Sequence, residues 1–201
     1  MRLLPFTDAA HVAAAVEAVR GVARAHGVTA LPTETFYGLA APPGDLAAVE
    51  RIVAVKGRPA EKRFPVVGAT LEQLDRLVRL EGPWRGRLAA VWPAPLTVVL
   101  PAVSEGGGTI AVRVPAHPLL RALLAAVGPL TATSANRSGA PARSAPGEVE
   151  RELGADLDLL LDGGATAGGL PSTLVDLTSR PPRLLRAGAF RVPREWGVKE
   201  G

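Results

Sequence analysis

The chain has 201 residues, 47% of them hydrophobic and 21% charged, proportions that exclude disorder throughout and fit one globular domain. Its 23 basic and 19 acidic side chains leave a net charge of +4, and Lys occurs only at Lys56, Lys62 and Lys199, every other basic residue being Arg. Cysteine is absent, which excludes disulfides, thiolate nucleophiles and Cys-based zinc or iron–sulfur sites. No stretch is as long as a membrane span or a secretory leader, so a soluble cytoplasmic protein with no membrane partner is expected.

Gly and Pro are spread along the whole chain and punctuate many short elements. From Thr7 or Asp8 as N-cap, residues 9–26 carry Val12, Val16, Val19 and Val22 at helical spacing and stop at Gly27, which predicts a helix. A short buried strand over 27–31 then runs into the polar loop 32–35. Asp45 caps a second helix over 46–55, followed by Lys56-Gly-Arg-Pro59. Residues 64–68 read as a strand, and Thr70 with Gln73 three positions on predicts a capped helix over 71–80. Residues 83–92 read as a chain reversal. The β-branched runs 96–100 and 109–114 flank a glycine-rich connection and predict two paired strands. Pro118 opens a helix to Val127, 130–133 is a short strand, 148–153 a helical turn or two, and 157–161, 172–177 and 183–186 are strands. Alternating strands and helices with adjacent strand pairs predict an α/β domain on a mixed, twisted sheet. The expected division is a domain over 1–190 and a loosely held tail over 191–201.

Neither a phosphate-binding Gly-x-x-x-x-Gly-Lys loop nor a nucleophile elbow is present. His11, His26 and His117 are too scattered for a metal site and read as surface or capping residues; no metal site is expected. Polar candidates gather instead at strand ends and adjoining loops, where ligands bind in α/β sheets: Thr33, Lys56, Arg58, Arg113, Ser134, Asn136, Ser172 and Arg186. Each has an ordinary structural reading alone. Lys56 and Arg58 suit a helix C-terminus, the 131–139 turn is compatible with a purely structural role, and strand alternation is able to place Arg113 on a solvent face. Together, cations and hydroxyls without a carboxylate pair point to an anionic ligand.

These residues occupy six of seven ordered motifs, the third carrying none of them: Pro32-Thr-Glu-Thr-Phe-Tyr-Gly-Leu39, Lys56-Gly-Arg-Pro59, Trp92-Pro-Ala-Pro-Leu-Thr97, Val112-Arg-Val-Pro115, Thr133-Ser-Ala-Asn-Arg-Ser-Gly139, Pro171-Ser-Thr-Leu-Val-Asp176 and Leu185-Arg-Ala-Gly188. In this the chain resembles the YrdC/Sua5 family in its short, single-domain form. Ala40 and Ala94 depart from the family's glycines, small for small. The resemblance implies a YrdC-like single α/β domain with a large, concave, positively charged cavity. It implies threonylcarbamoyl-AMP synthase activity, in which L-threonine, bicarbonate and ATP yield threonylcarbamoyl-AMP and pyrophosphate for N6-threonylcarbamoyladenosine modification at position 37 of tRNA.

By the same resemblance, Lys56, Arg58, Ser134 and Asn136 form a catalytic tetrad around the nucleotide phosphates and the carbamate. Thr33, Arg113 and Ser172 hold threonine, while Thr109, Ser144 and Arg186 contact ATP. Mg²⁺ is expected to arrive with ATP. The implied partners are downstream threonylcarbamoyl transferase proteins and weakly bound tRNA. The competing reading is a non-catalytic RNA-binding protein on the same fold.

Overall fold

A computed structural model describes residues 1–57, 64–104 and 107–200. In chain order it forms β1 (Arg2–Pro5), α1 (Val12–Arg24), β2 (Thr29–Pro32), β3 (Tyr37–Ala40), α2 (Leu46–Lys56), β4 (Val66–Val67) and α3 (Leu71–Leu74). There follow α4 (Trp84–Val91), β5 (Leu96–Pro101), β6 (Thr109–Arg113), α5 (Pro118–Val127), β7 (Leu130–Thr131) and β8 (Thr133–Ser134). The last elements are α6 (Pro146–Leu153), β9 (Leu159–Asp162), β10 (Thr173–Asp176), β11 (Arg183–Arg186) and β12 (Lys199–Glu200).

The fold is the mixed α/β domain expected, with its strands divided between two sheets. One has the order β1-β9-β2-β3-β8 and the other β12-β11-β10-β5-β6-β4-β7. Both mix directions: β2 runs parallel to β9 and antiparallel to β3, while β5 runs antiparallel to β6 and parallel to β10. The run predicted as one strand over 130–133 bridges the sheets. Its first half, β7, pairs with β4, and after Ala132 its second half, β8, pairs with β3. Thr131 secures the crossing, its N–H donating to the Ala41 carbonyl at 2.8 Å and its hydroxyl accepting from the Ala41 N–H at 3.0 Å.

Packing explains which helices were legible. α1 and α5 bury Val16, Val19, Leu120, Leu123 and Leu124 in one cluster with Leu31, Leu159 and Leu161 of the first sheet, so each shows a clear apolar stripe. Asp8 caps the entry to the first helix by accepting from Ala10 N–H at 2.8 Å. At its exit the left-handed residue is His26, with φ 53°, rather than Gly27; the His26 ring meets the Asp45 carboxylate at 2.9 Å.

Three local expectations are corrected. The helix over 71–80 stops after Leu74, because the chain turns into strand-like contact with β5: Val78 bridges Ala102 and Arg79 N–H donates to the Pro101 carbonyl at 2.8 Å. The reversal over 83–92 contains α4, whose pattern is weak because only Leu88 of its eight residues is buried. The tail over 191–201 is not loosely held among its described residues. Trp196 is only 5% exposed, meets Trp84 edge-on at 5.5 Å between ring centroids, and sits in the core cluster with Trp92, Leu96 and Leu177, while β12 pairs with β11. β1 and β3 escaped the sequence reading. β3 is buried on both faces and so lacks the alternation that marks a half-buried strand.

Replacing Trp196 by Ala is expected to cost about 3–5 kcal/mol of stability, as for other large core aromatics. Urea unfolding of the variant checks this; a change near zero is what a loosely held tail requires.

Candidate functional site

A cavity of about 930 Å³ opens between the two sheets, in the upper part of the size range of small-molecule sites. Thr33, Lys56, Thr109, Arg113, Ser134, Asn136, Ser172 and Arg186 all line it. The first sheet and its loops bring Thr33 and Ser134, and the second brings Thr109, Arg113 and Arg186. Ser144 is not among the lining residues: its N–H lies 3.3 Å from Glu148 and its carbonyl accepts from the Thr166 N–H at 2.8 Å. Arg58 lies outside the described residues.

At one end, α2 delivers Lys56 into the wall. Gly57 ends the helix in the left-handed conformation at φ 60°, where a side chain is disfavoured. The Lys56 ammonium is buried, the residue being 4% exposed, and donates to the carbonyls of Ser134 at 2.8 Å and Asn136 at 3.0 Å. In return the Lys56 carbonyl accepts from Ser138 N–H at 2.8 Å. The Asn136 amide closes the same turn by donating to the carbonyls of Arg137 and Ala140 at 2.9 and 2.6 Å. Lys56 is thus physically joined to the Ser134–Asn136 turn. Glu152 holds the loop beyond, accepting from Arg137 N–H at 3.0 Å and pairing with Arg143; these donors keep its carboxyl below the usual range.

The loop after β2 is built around Thr33, whose hydroxyl donates to the Phe36 carbonyl at 2.7 Å and accepts from Thr35 N–H at 3.1 Å. Tyr37 anchors it to the glycine-rich segment after β9, donating to the Gly164 carbonyl at 2.7 Å and accepting from Gly163 N–H at 3.1 Å. Burial pushes the Tyr37 hydroxyl up to about 12, so it remains a donor.

At the other end, β6 places Arg113 inside the cavity rather than on a solvent face, with 6% exposure. Its guanidinium lies 3.4 Å from Glu34, the charged neighbour that the sequence reading did not single out. Burial lowers the Arg113 pKa; Glu34 opposes that shift and nearby Arg186 adds to it. Arg186 reaches back from β11 with Nε and Nη2 on the Ser172 carbonyl at 3.1 and 2.9 Å, and with Nη2 on the Ser172 hydroxyl at 3.2 Å. Ser172 Oγ in turn meets Thr97 Oγ1 at 2.9 Å. Gly188 permits this arrangement: a Cβ there falls 2.3 Å from the Pro171 carbonyl oxygen and 2.5 Å from Thr173 N, inside any tolerable contact. Thr97, like Glu34, lay in a recognised motif but carried no local sign of its partner. Among the described residues no three His, Asp or Glu side chains gather as a metal site.

The fold and this cavity define an α/β domain with a ligand-sized site between two mixed sheets, its polar wall carried by strand ends and loops. The Sua5/YciO/YrdC family model, described as "Telomere recombination", matches residues 22–188. Threonylcarbamoyl-AMP synthase of Stutzerimonas stutzeri is 38% identical over 172 residues, covering 82% of this chain and 93% of its own. The Pyrococcus abyssi enzyme of the same name is 39% identical over 180 residues, 85% of this chain but 53% of its own, so the chain spans about half that relative's length. Among solved structures, P. abyssi Sua5 complexed with L-threonine superposes with a TM-score of 0.84 at 36% identity, covering 94% of this chain and 58% of that one. Escherichia coli YciO gives 0.84 at 27% identity, covering 94% and 96%. The chain belongs to the Sua5/YciO/YrdC family.

His117 caps α5, its Nδ1 accepting from Leu120 N–H at 3.2 Å, and stacks on Phe6. Burial lowers its pKa below the ordinary 6.5, so the folded state favours the neutral ring. The resulting stability is complete above the unfolded pKa of about 6.5 and is lost as pH falls toward the folded value. His117→Asn retains a capping acceptor and is expected to flatten the acid-side loss of melting temperature below about pH 6.5; parallel wild-type and variant melts check it.

Proposed function

We propose that this chain is a threonylcarbamoyl-AMP synthase, joining L-threonine, bicarbonate and ATP into threonylcarbamoyl-AMP with release of pyrophosphate. The observation that carries the reading is the convergence of eight expected site residues on one cavity, seven of them from the ordered motifs, in a chain whose relatives, matched over 93% and 90% of their own length, bear that name. The threonine-bound neighbour of the same fold supports the amino-acid substrate.

In this reading the Arg113 guanidinium, with its forked donors, receives the threonine carboxylate, beside Thr33 and the Ser172 hydroxyl. The bound ammonium gives up a proton to solvent, and the neutral amine then attacks carbon dioxide formed from bicarbonate by uptake of a proton and loss of water. The N–C bond forms as one C=O π bond opens, and a second proton leaves the nitrogen for solvent to give the carbamate. A carbamate oxygen then attacks the α-phosphorus of ATP, the bond to the bridging oxygen breaks, and the electron pair leaves with pyrophosphate. Such a displacement requires alignment and charge neutralisation rather than a protein nucleophile. Lys56 and Arg58 supply positive charge to the phosphates and the carbamate, and the Ser134–Asn136 turn shapes their seat; Thr109, Arg186 and, from outside the lining, Ser144 are assigned to ATP. Lys56, Arg113 and Arg186 support a cationic cavity, and Mg²⁺ is assigned to the triphosphate.

The product is an activated carbamoyl donor, so the downstream partner is a transferase that acts on tRNA in the cytoplasm, with direct tRNA binding at most weak. The domain is assigned to 1–190 and the C-terminal tail to 191–201, Trp196 of the tail packing on the domain.

Purified protein given ATP, bicarbonate and L-threonine is expected to release pyrophosphate only when threonine is present; its absence from folded protein overturns the reading. Arg113→Lys removes the bidentate fork and is expected to raise KM for threonine about tenfold or more, with KM for ATP little changed.

A further inference from the structure

Glu34 is the one residue whose buried side-chain oxygens lack a hydrogen-bond partner among the described residues: both Oε1 and Oε2 are sealed from solvent and neither is bonded. Buried polar groups are ordinarily satisfied, so an unsatisfied carboxylate calls for an explanation. Its surroundings supply one. Thr33 and Thr35 on either side line the cavity while Glu34 does not, which puts the carboxylate behind the wall. The Arg113 guanidinium, which does line the cavity, lies 3.4 Å from Oε1. That is close enough for strong attraction but too poorly aligned for a hydrogen bond, so Arg113 keeps its donors for another acceptor. Arg186 adds a second positive charge nearby, and the field of Glu34 extends to His117 as well.

Two guanidiniums by themselves make an indiscriminate anion site, open to a plain carboxylate, phosphate or pyrophosphate. A fixed negative charge beside them changes which ligand fits. An α-amino acid carries its carboxylate and its ammonium on one carbon, so a positive group flanked by a negative one complements both charges. An anion without the ammonium meets the repulsion of Glu34 and has nothing to offset it.

We propose that Glu34 selects a zwitterion, making the Arg113 end of the cavity specific for an α-amino acid over simple anions without itself touching the substrate. This rests on the amino-acid reading of the site above, and its test is read from binding rather than from turnover.

Isothermal calorimetry on the full chain compares L-threonine with (R)-3-hydroxybutyrate, which keeps the carboxylate and hydroxyl and lacks only the amine. Wild-type protein is expected to bind threonine at least about tenfold more tightly, and Glu34→Gln to narrow that gap about tenfold, mainly by tighter binding of the hydroxy acid; Glu34→Asp, which keeps the charge, retains most of the gap. A loss of packing alone weakens both ligands together and leaves their ratio unchanged. Equal affinities in wild-type protein overturn the proposal, as does an unchanged ratio in folded Glu34→Gln. Should Glu34→Gln fail to fold, the wild-type pair and Glu34→Asp decide it, a collapsed ratio in Glu34→Asp counting against. Threonine binding without pyrophosphate release removes the synthase reading and leaves this comparison intact, whereas no threonine binding removes both.

Discussion

The ammonium of Lys56 joins parts of the chain that are 78 and 80 residues apart. Burying a cation costs several kcal/mol unless oxygens replace its water, and here the carbonyls of Ser134 and Asn136 do so. The consequence runs both ways. The end of α2 is held against the turn after β8, and that turn is held in the shape that brings Ser134 and Asn136 to the cavity. A neutral side chain in its place takes that donor from the Asn136 carbonyl and leaves the Ser134 carbonyl with the Asn136 N–H at 3.0 Å. The choice of Lys in a chain otherwise rich in Arg is accounted for by this geometry, since a compact ammonium meets converging carbonyls that a planar guanidinium cannot.

At the opposite end hydrogen bonds hold Arg186, whereas Arg113 meets Glu34 by charge without a hydrogen bond. Arg113 enters from β6, Arg186 from β11, and Ser172 ties the latter to Thr97 on β5. Three strands of one sheet therefore bring the two guanidiniums to the same end of the cavity, where Glu34, from a loop of the other sheet, is the counter-charge of Arg113. That crossing of sheets is made possible by the strand that changes allegiance at Ala132. Because β7 belongs to one sheet and β8 to the other, the space between them becomes an open cavity instead of a filled sandwich core.

Which features were visible in the residues follows from the range of the forces involved. α1, α2 and α5 were legible because Asp8, Asp45 and Pro118 mark their starts and their apolar faces repeat within a few residues. The short α4 was not, since one buried Leu makes no stripe. The helix over 71–80 was overread because Thr70 signals a start, and the early stop is imposed by Pro101 and Ala102 from a distant strand. Seven of the cavity-lining candidates are legible through their motifs, but Glu34 and Thr97 are not, because nothing adjacent in the chain reveals Arg113 or Ser172 as their neighbours.

By itself, then, the order of residues determined the main helices, the paired strands β5 and β6, the mixed α/β class and the strand-end placement of the polar candidates, all of which depend on periodicity, caps and turns within a short window. Only the tertiary structure decided that the strands divide into two sheets, that the tail packs through Trp196, that Lys56 donates to main-chain carbonyls, and that Arg113 lies inside beside Glu34. Those outcomes rest on burial and on charge pairing between remote segments, whose free energies exist only once the segments meet.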